Sequence, residues 1–109
     1  MAQQGSKLVK DGVQVIQGTP QEPITRATLF LRLWRAPGPK NTEVTRATLS
    51  MVRPGRAGYV VKELIPDMDL GPQAALDKAI AIAKRGDVAT VYLNADLAQL
   101  PKQRLAAAG

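Results

Sequence analysis

The side chains that most often carry catalysis or hold transition metals are missing from this sequence. It contains neither cysteine nor histidine, so it has no thiol nucleophile, no disulfide and no imidazole to act as a general base or metal ligand. Ser6 and Ser50 are the only serines, and without histidine neither can belong to a conventional catalytic triad. We therefore expect no enzymatic activity and no cofactor.

Acidic residues offer one alternative. Glu63, Asp67 and Asp69 lie close together in the sequence, and carboxylate oxygens are the ligands that Mg²⁺ and Ca²⁺ prefer. A small acid-dependent metal-binding protein or enzyme is therefore one hypothesis. The segment lacks the glycine and the distal glutamate of a calcium-binding loop, and acids ahead of a helix also complement its dipole. We interpret it as a solvated turn and assign no metal site.

Positive charge is concentrated in one part of the chain. The formal net charge is +6, and residues 24–62 contain eight basic side chains and a single acid, Glu43, which gives this segment a charge of +7. Six of the eight are arginines, whose planar guanidinium groups suit bidentate contacts with phosphate. A local excess of this kind attracts polyanions.

Two aromatic residues are interleaved with these arginines. The pentapeptide TRATL occurs at 25–29 and again at 45–49, and alternation along a strand places each arginine on the opposite face from the leucine. Phe30 and Trp34 share the arginine face of the first copy. Cations for phosphates and rings for unstacked bases are what a single-stranded nucleic-acid platform needs. The predicted contacts are Arg26, Arg32, Arg35, Arg46, Arg53, Arg56, Phe30 and Trp34.

Strands and one helix must position these side chains. Alternating apolar residues between turn-forming Gly and Pro clusters predict strands at 12–18, 24–35, 42–53, 59–65 and 88–94. Pro72 and Gly86 mark the start and stop of a helix whose alanines and isoleucines recur at helical spacing. Asp96 is placed to cap a short C-terminal helix.

The order of these elements predicts the α+β class. Short loops favour an antiparallel β-meander of four to five strands, with the main helix packed on one face and a short C-terminal helix. The 109 residues fit a single small domain, in which we expect 1–11 and 102–109 to be flexible. No apolar run approaches the roughly 18 residues of a membrane span, and we expect a cytoplasmic location.

The leading functional prediction is a small non-enzymatic binding module whose basic sheet face contacts nucleic-acid backbone with low sequence selectivity. The alternative is a protein–protein interaction or homodimerisation module without a nucleic-acid role, in which Phe30, Trp34, Val44 and Val52 form an apolar seam. Solvent exposure of the two rings discriminates between them, because a covered ring cannot stack on a base.

Overall fold

The computed structural model describes residues 7–56, 58–68 and 71–101. In chain order these residues form β1 (Lys7–Lys10), β2 (Val13–Gln17), β3 (Thr28–Pro37), β4 (Glu43–Gly55), β5 (Gly58–Met68), α1 (Pro72–Arg85) and β6 (Thr90–Leu93). A mixed sheet with one main helix confirms the predicted α+β class. None of the described helices has the length and apolar character needed to cross a membrane.

The sheet is mixed, and the prediction of a plain antiparallel meander is corrected. Its strand order is β1-β2-β6-β3-β4-β5. Strands β3, β4 and β5 form an antiparallel series, but β6 lies between β2 and β3 and runs parallel to both. Parallel pairing requires a crossover connection. Helix α1 provides it, because it carries the chain from the edge strand β5 back to the middle of the sheet.

Helix α1 covers one face of the sheet. It begins at Pro72, where the missing N–H needs no partner, and it ends before Gly86 as predicted. Ala75, Ala79 and Ala83 are fully buried, and their small side chains allow the helix to lie close to the strands. The sheet residues of this core are buried and apolar: Val13, Val15, Leu29, Leu31, Ala47, Leu49 and Val91.

The opposite face of the sheet is covered over only part of its length. Ile24 and Leu100 bring two connecting segments onto it, where they form a second apolar cluster with Phe30 and Val52. Toward the end of β3 at Pro37 this face is open. The sheet therefore carries the helix on one face, and the two connecting segments form a partial third layer on the other.

Both ends of the described chain differ from the sequence prediction. Lys7–Lys10 lies within the segment that was expected to be flexible, yet it forms β1 and pairs with β2. The expected C-terminal helix is a single 3-10 turn, Leu97–Gln99, whose cap Asp96 accepts a hydrogen bond from the Ala98 N–H at 3.0 Å. Pro101 has no N–H with which to extend that turn into a helix. Residues 1–6 and 102–109 lie outside the described residues.

Candidate nucleic-acid interface

The open part of the helix-free face contains a groove of about 700 Å³. Arg32 and Trp34 of β3 lie on its floor, and the segment 94–98, which follows β6, forms a wall. Thr48 and Glu63 extend the lining across β4 and β5. Four different parts of the chain therefore meet at this groove.

Strand register explains why cations and an indole share the groove face. Arg32 pairs with Thr48, and Trp34 pairs with Arg46. Residues directly opposite in an antiparallel pair lie on the same face, so these four side chains project from the side of the sheet that lacks the helix. The guanidinium carbon of Arg32 is 5.6 Å from the centroid of the Trp34 ring, within the range of a cation–π contact.

The wall of the groove is fixed by hydrogen bonds from Asn94. Its side-chain oxygen accepts from the Leu33 N–H at 2.8 Å, and its own N–H donates to the Leu31 carbonyl at 2.8 Å. Asn94 has a φ of 54°, a left-handed conformation that asparagine tolerates better than most residues. Farther along, the Asp96 N–H donates to the Thr19 hydroxyl at 2.9 Å. The wall is therefore tied both to β3 and to the segment that precedes it.

The groove carries charges of both signs. Arg32 contributes a cation, while Glu63 and Asp96 contribute carboxylates. Arg46 lies beside Trp34 on the same face. A ligand that combines anionic groups with hydrogen-bond donors matches this lining better than a simple polyanion does.

Phe30 is not part of the open surface, and the expectation that it faces outward for a ligand is corrected. Its side chain is 4% exposed, and its ring stacks on Tyr92 with centroids 5.4 Å apart. Ile24 and Leu100 pack around this pair. Burial, with a contribution from the negative charge of Glu22, raises the pKa of Tyr92. Phe30 therefore stabilises the second apolar cluster and only borders the groove, whereas Trp34 is the more exposed of the two rings.

The predicted arginines do not form one surface. Arg32 and Arg46 lie on the groove face. Arg35 and Arg53 have the opposite strand parity, so they project from the same side as the buried leucines of β3 and β4. Arg35 is also ion-paired with Glu43, with 2.9 Å between the guanidinium nitrogen and the carboxylate oxygen.

The two remaining predicted arginines lie in connections. Arg26 precedes the first residue of β3, Thr28, which pairs with Val52 of β4. Arg56 lies at the turn between β4 and β5, and Arg53 is three residues before it. Arg26, Arg53 and Arg56 are all exposed. None of these three arginines forms an ion pair with another described residue. They gather at one end of β4.

Each copy of TRATL contributes its leucine to the core on the helix side of the sheet. Leu29 and Leu49 are fully buried, which confirms the predicted leucine face. Arg46 lies beside Trp34, whereas Arg26 lies before β3 at the other end of that strand. The repeat therefore does not bring its two arginines together.

The acidic hypothesis gains no support from the described part of the chain. Glu63 lines the groove, and Asp67 is the second-to-last residue of β5. Asp69 lies outside the described residues. Over 7–56, 58–68 and 71–101, no group of three His, Cys, Asp or Glu residues is placed to hold a metal ion.

Asn94 and Asp96 were not identified from the sequence as site residues. The available signal was a pair of polar residues directly after an apolar strand, where loop side chains often carry function. Their relevance depends on β6 lying beside β3, which local patterns do not reveal.

No protein-family model, curated protein or solved structure matches this chain.

Proposed function

We propose that this protein is a small non-enzymatic binding module that contacts single-stranded nucleic acid through the groove, with low sequence selectivity. The observation that carries the proposal is the placement of Arg32, Trp34 and Arg46 together on an open sheet face. Guanidinium groups bind phosphate oxygens, and an indole ring stacks on an unpaired base. A cytoplasmic location, where the protein would meet nucleic acid, is part of the same proposal.

The chemistry of the lining is consistent with an unpaired base beside phosphate. Trp34 is half-buried, so its neighbours hold the ring while part of its surface stays free. Glu63 and Asp96 provide acceptors for the amino groups of bases. Because only one ring is available for stacking, most of the affinity must come from the backbone, and binding should weaken strongly with salt.

Fluorescence of Trp34, the single tryptophan, tests the proposal directly. We expect a short single-stranded oligodeoxynucleotide to quench its emission at low salt, with an affinity that falls steeply as salt is added. Arg32→Ala should weaken this binding. Arg85→Ala is the matched control, because it removes an equal charge from an exposed position at the end of α1.

Absence of quenching at low salt, or an equal loss of affinity in Arg32→Ala and Arg85→Ala, would remove the support for this groove as the binding site. The second outcome would mean that net charge alone controls the interaction.

Homodimerisation is the second candidate, because the edge strand β5 exposes apolar side chains. Val60 is 42% exposed and Val61 is 50% exposed, and among the described strands β5 pairs only with β4. A second copy of β5 could hydrogen-bond to this edge. Three features farther along β5 disfavour strand pairing: the charge of Lys62, the register irregularity near Leu64, and Pro66. Only the valine part of the strand is therefore suited to it.

Sedimentation equilibrium tests this candidate. A dimer that dissociates in the double variant Val60→Thr/Val61→Thr would support association through β5, because threonine keeps the β-branched shape and removes apolar surface. A monomer at all concentrations of the unaltered protein contradicts it.

A further inference from the structure

Strands β4 and β5 continue beyond the rest of the sheet as a two-stranded ribbon. The first residue of β3, Thr28, pairs with Val52, so the later pairs of the hairpin have no third described strand beside them. These pairs are Arg53 with Val60, Pro54 with Tyr59, and Gly55 with Gly58. At 3.4 Å per residue they extend about 10 Å, and the turn at Arg56 lies beyond them. We call residues 53–56 and 58–60 the ribbon end.

The ribbon end carries unpaired positive charge. Arg53 and Arg56 are exposed, and the segment 44–62 contains no acidic residue. Arg26 adds a third cation nearby, because the Ile24 N–H donates to the Tyr59 hydroxyl at 3.1 Å and thereby holds the chain before β3 against the ribbon. Neither the two ribbon arginines nor Arg26 forms an ion pair within the described part of the chain.

One face of the ribbon end is anchored and the other is free. On the anchored face Tyr59 is half-buried in the second apolar cluster, and its hydroxyl donates to the Pro101 carbonyl at 2.5 Å. On the free face lie Arg53 and its cross-strand partner Val60, both exposed. Anchoring limits the motion of the ribbon backbone, so little backbone conformational freedom is lost when the ribbon binds a partner.

We infer that the ribbon end is a second contact surface, specific for double-stranded DNA. The major groove of B-DNA, about 12 Å wide and about 8.5 Å deep, admits a two-stranded ribbon, and the ribbon end lies in it with its free face toward the bases, because the segments at Ile24 and Pro101 cover the anchored face. Arg53 and Arg56 then meet the phosphates that border the groove, and Val60 faces the base edges. The inference shares the ligand class of the proposed function but uses a surface separate from Trp34.

Fluorescence anisotropy of a labelled DNA duplex tests the inference. In Arg53→Ala/Arg56→Ala we expect duplex affinity at low salt to fall about tenfold or more, and the slope of log affinity against log salt to decrease by roughly 2, since two phosphate contacts are lost. Lys84→Ala/Arg85→Ala is the control, because it removes the same charge at the exposed end of α1. Its duplex affinity should change much less.

A second variant separates charge from folding. Arg53→Lys/Arg56→Lys keeps both charges and should retain most of the duplex affinity, which shows that the alanine variant fails through lost cations. The inference is overturned if the unaltered protein does not bind the duplex. It is also overturned if the two alanine double variants lose affinity equally.

Trp34 fluorescence with the corresponding single strand reports on the groove in the same samples. Quenching by the single strand without duplex binding would overturn the ribbon contact and leave the proposed function in place. Duplex binding that depends on Arg53 and Arg56, with no quenching by the single strand, would do the reverse.

Discussion

The guanidinium group of Arg32 lies over the indole ring of Trp34, with 5.6 Å between the guanidinium carbon and the ring centroid. The two residues are two positions apart on β3, and side chains at that separation project from the same face. Each therefore limits the access of solvent to the other on the open side of the sheet.

Removal of this cation should change the free protein as well as its binding. We expect Arg32→Ala to increase quenching of Trp34 by acrylamide and to lower the free energy of unfolding by roughly 0.5 kcal/mol, the size of an exposed cation–π contact. Arg53→Ala should leave acrylamide quenching unchanged, because the Arg53 side chain projects from the other face of the sheet. Equal quenching in both variants would contradict the contact.

Tyr59→Phe should destabilise the second apolar cluster. The hydroxyl accepts from the Ile24 N–H at 3.1 Å and donates to the Pro101 carbonyl at 2.5 Å, so its removal leaves two part-buried backbone groups without a partner. We expect a loss of about 1–3 kcal/mol in urea unfolding. Tyr92→Phe is the control, since its hydroxyl bonds to no other described residue, and a similar loss there would be unexpected.

Phe30→Ala should destabilise the protein severely rather than weaken binding selectively. The side chain is 4% exposed and stacks on Tyr92, and truncation of a buried phenylalanine costs roughly 3–5 kcal/mol. Urea unfolding measures this loss, and Phe30→Leu should lose much less. A stable Phe30→Ala protein that fails to bind an oligonucleotide would instead assign Phe30 to the ligand site.

The ion pair between Lys10 and Asp77 predicts a small dependence on acid pH. The hydrogen bond from Lys10, and after it the one from Gln73, holds the pKa of Asp77 below its ordinary value of 3.8. Because its pKa is lower in the folded protein, ionised Asp77 stabilises the fold at pH values above its unfolded pKa. This contribution is lost as pH falls through the folded pKa. Both side chains are well exposed, so solvent screens the effect.

Lys10→Ala tests this assignment by carboxyl NMR titration of Asp77. We expect the pKa of Asp77 to rise toward 3.8, and the unfolding free energy at neutral pH to stay nearly constant. Gln73→Ala should raise the pKa by less. An unchanged pKa in Lys10→Ala would contradict the ion pair.

Local signals accounted for most of the elements but not for their arrangement. Pro72 and Gly86 act on their immediate neighbours, and the helix has the predicted limits. The place of β6 depends on Val91, which pairs with both Val15 and Leu29. Such pairing joins residues that are far apart in sequence. The assumption that strands consecutive in sequence are neighbours in the sheet does not predict it.

The sequence predicts which face of β3 carries the candidate site, but not how much of that face is open. Strand parity correctly placed Arg32 and Trp34 on one face, but Phe30 has the same parity and is buried. The difference arises from Ile24 and Leu100, which pack over the first half of β3 and not over its end. Alternation identifies a face, whereas its coverage depends on where distant loops cross it.

The central position of β6 has a consequence for how the chain folds. Strands β2 and β3 are both bonded to β6 and not to one another, so before Thr90–Leu93 docks, the sheet exists as two separate halves. Among the described strands, the last in chain order is thus the one that completes the hydrogen-bond network. Because its partners are distant in sequence, closure carries a large loop-entropy cost, and we expect the docking of β6 to limit the rate of folding.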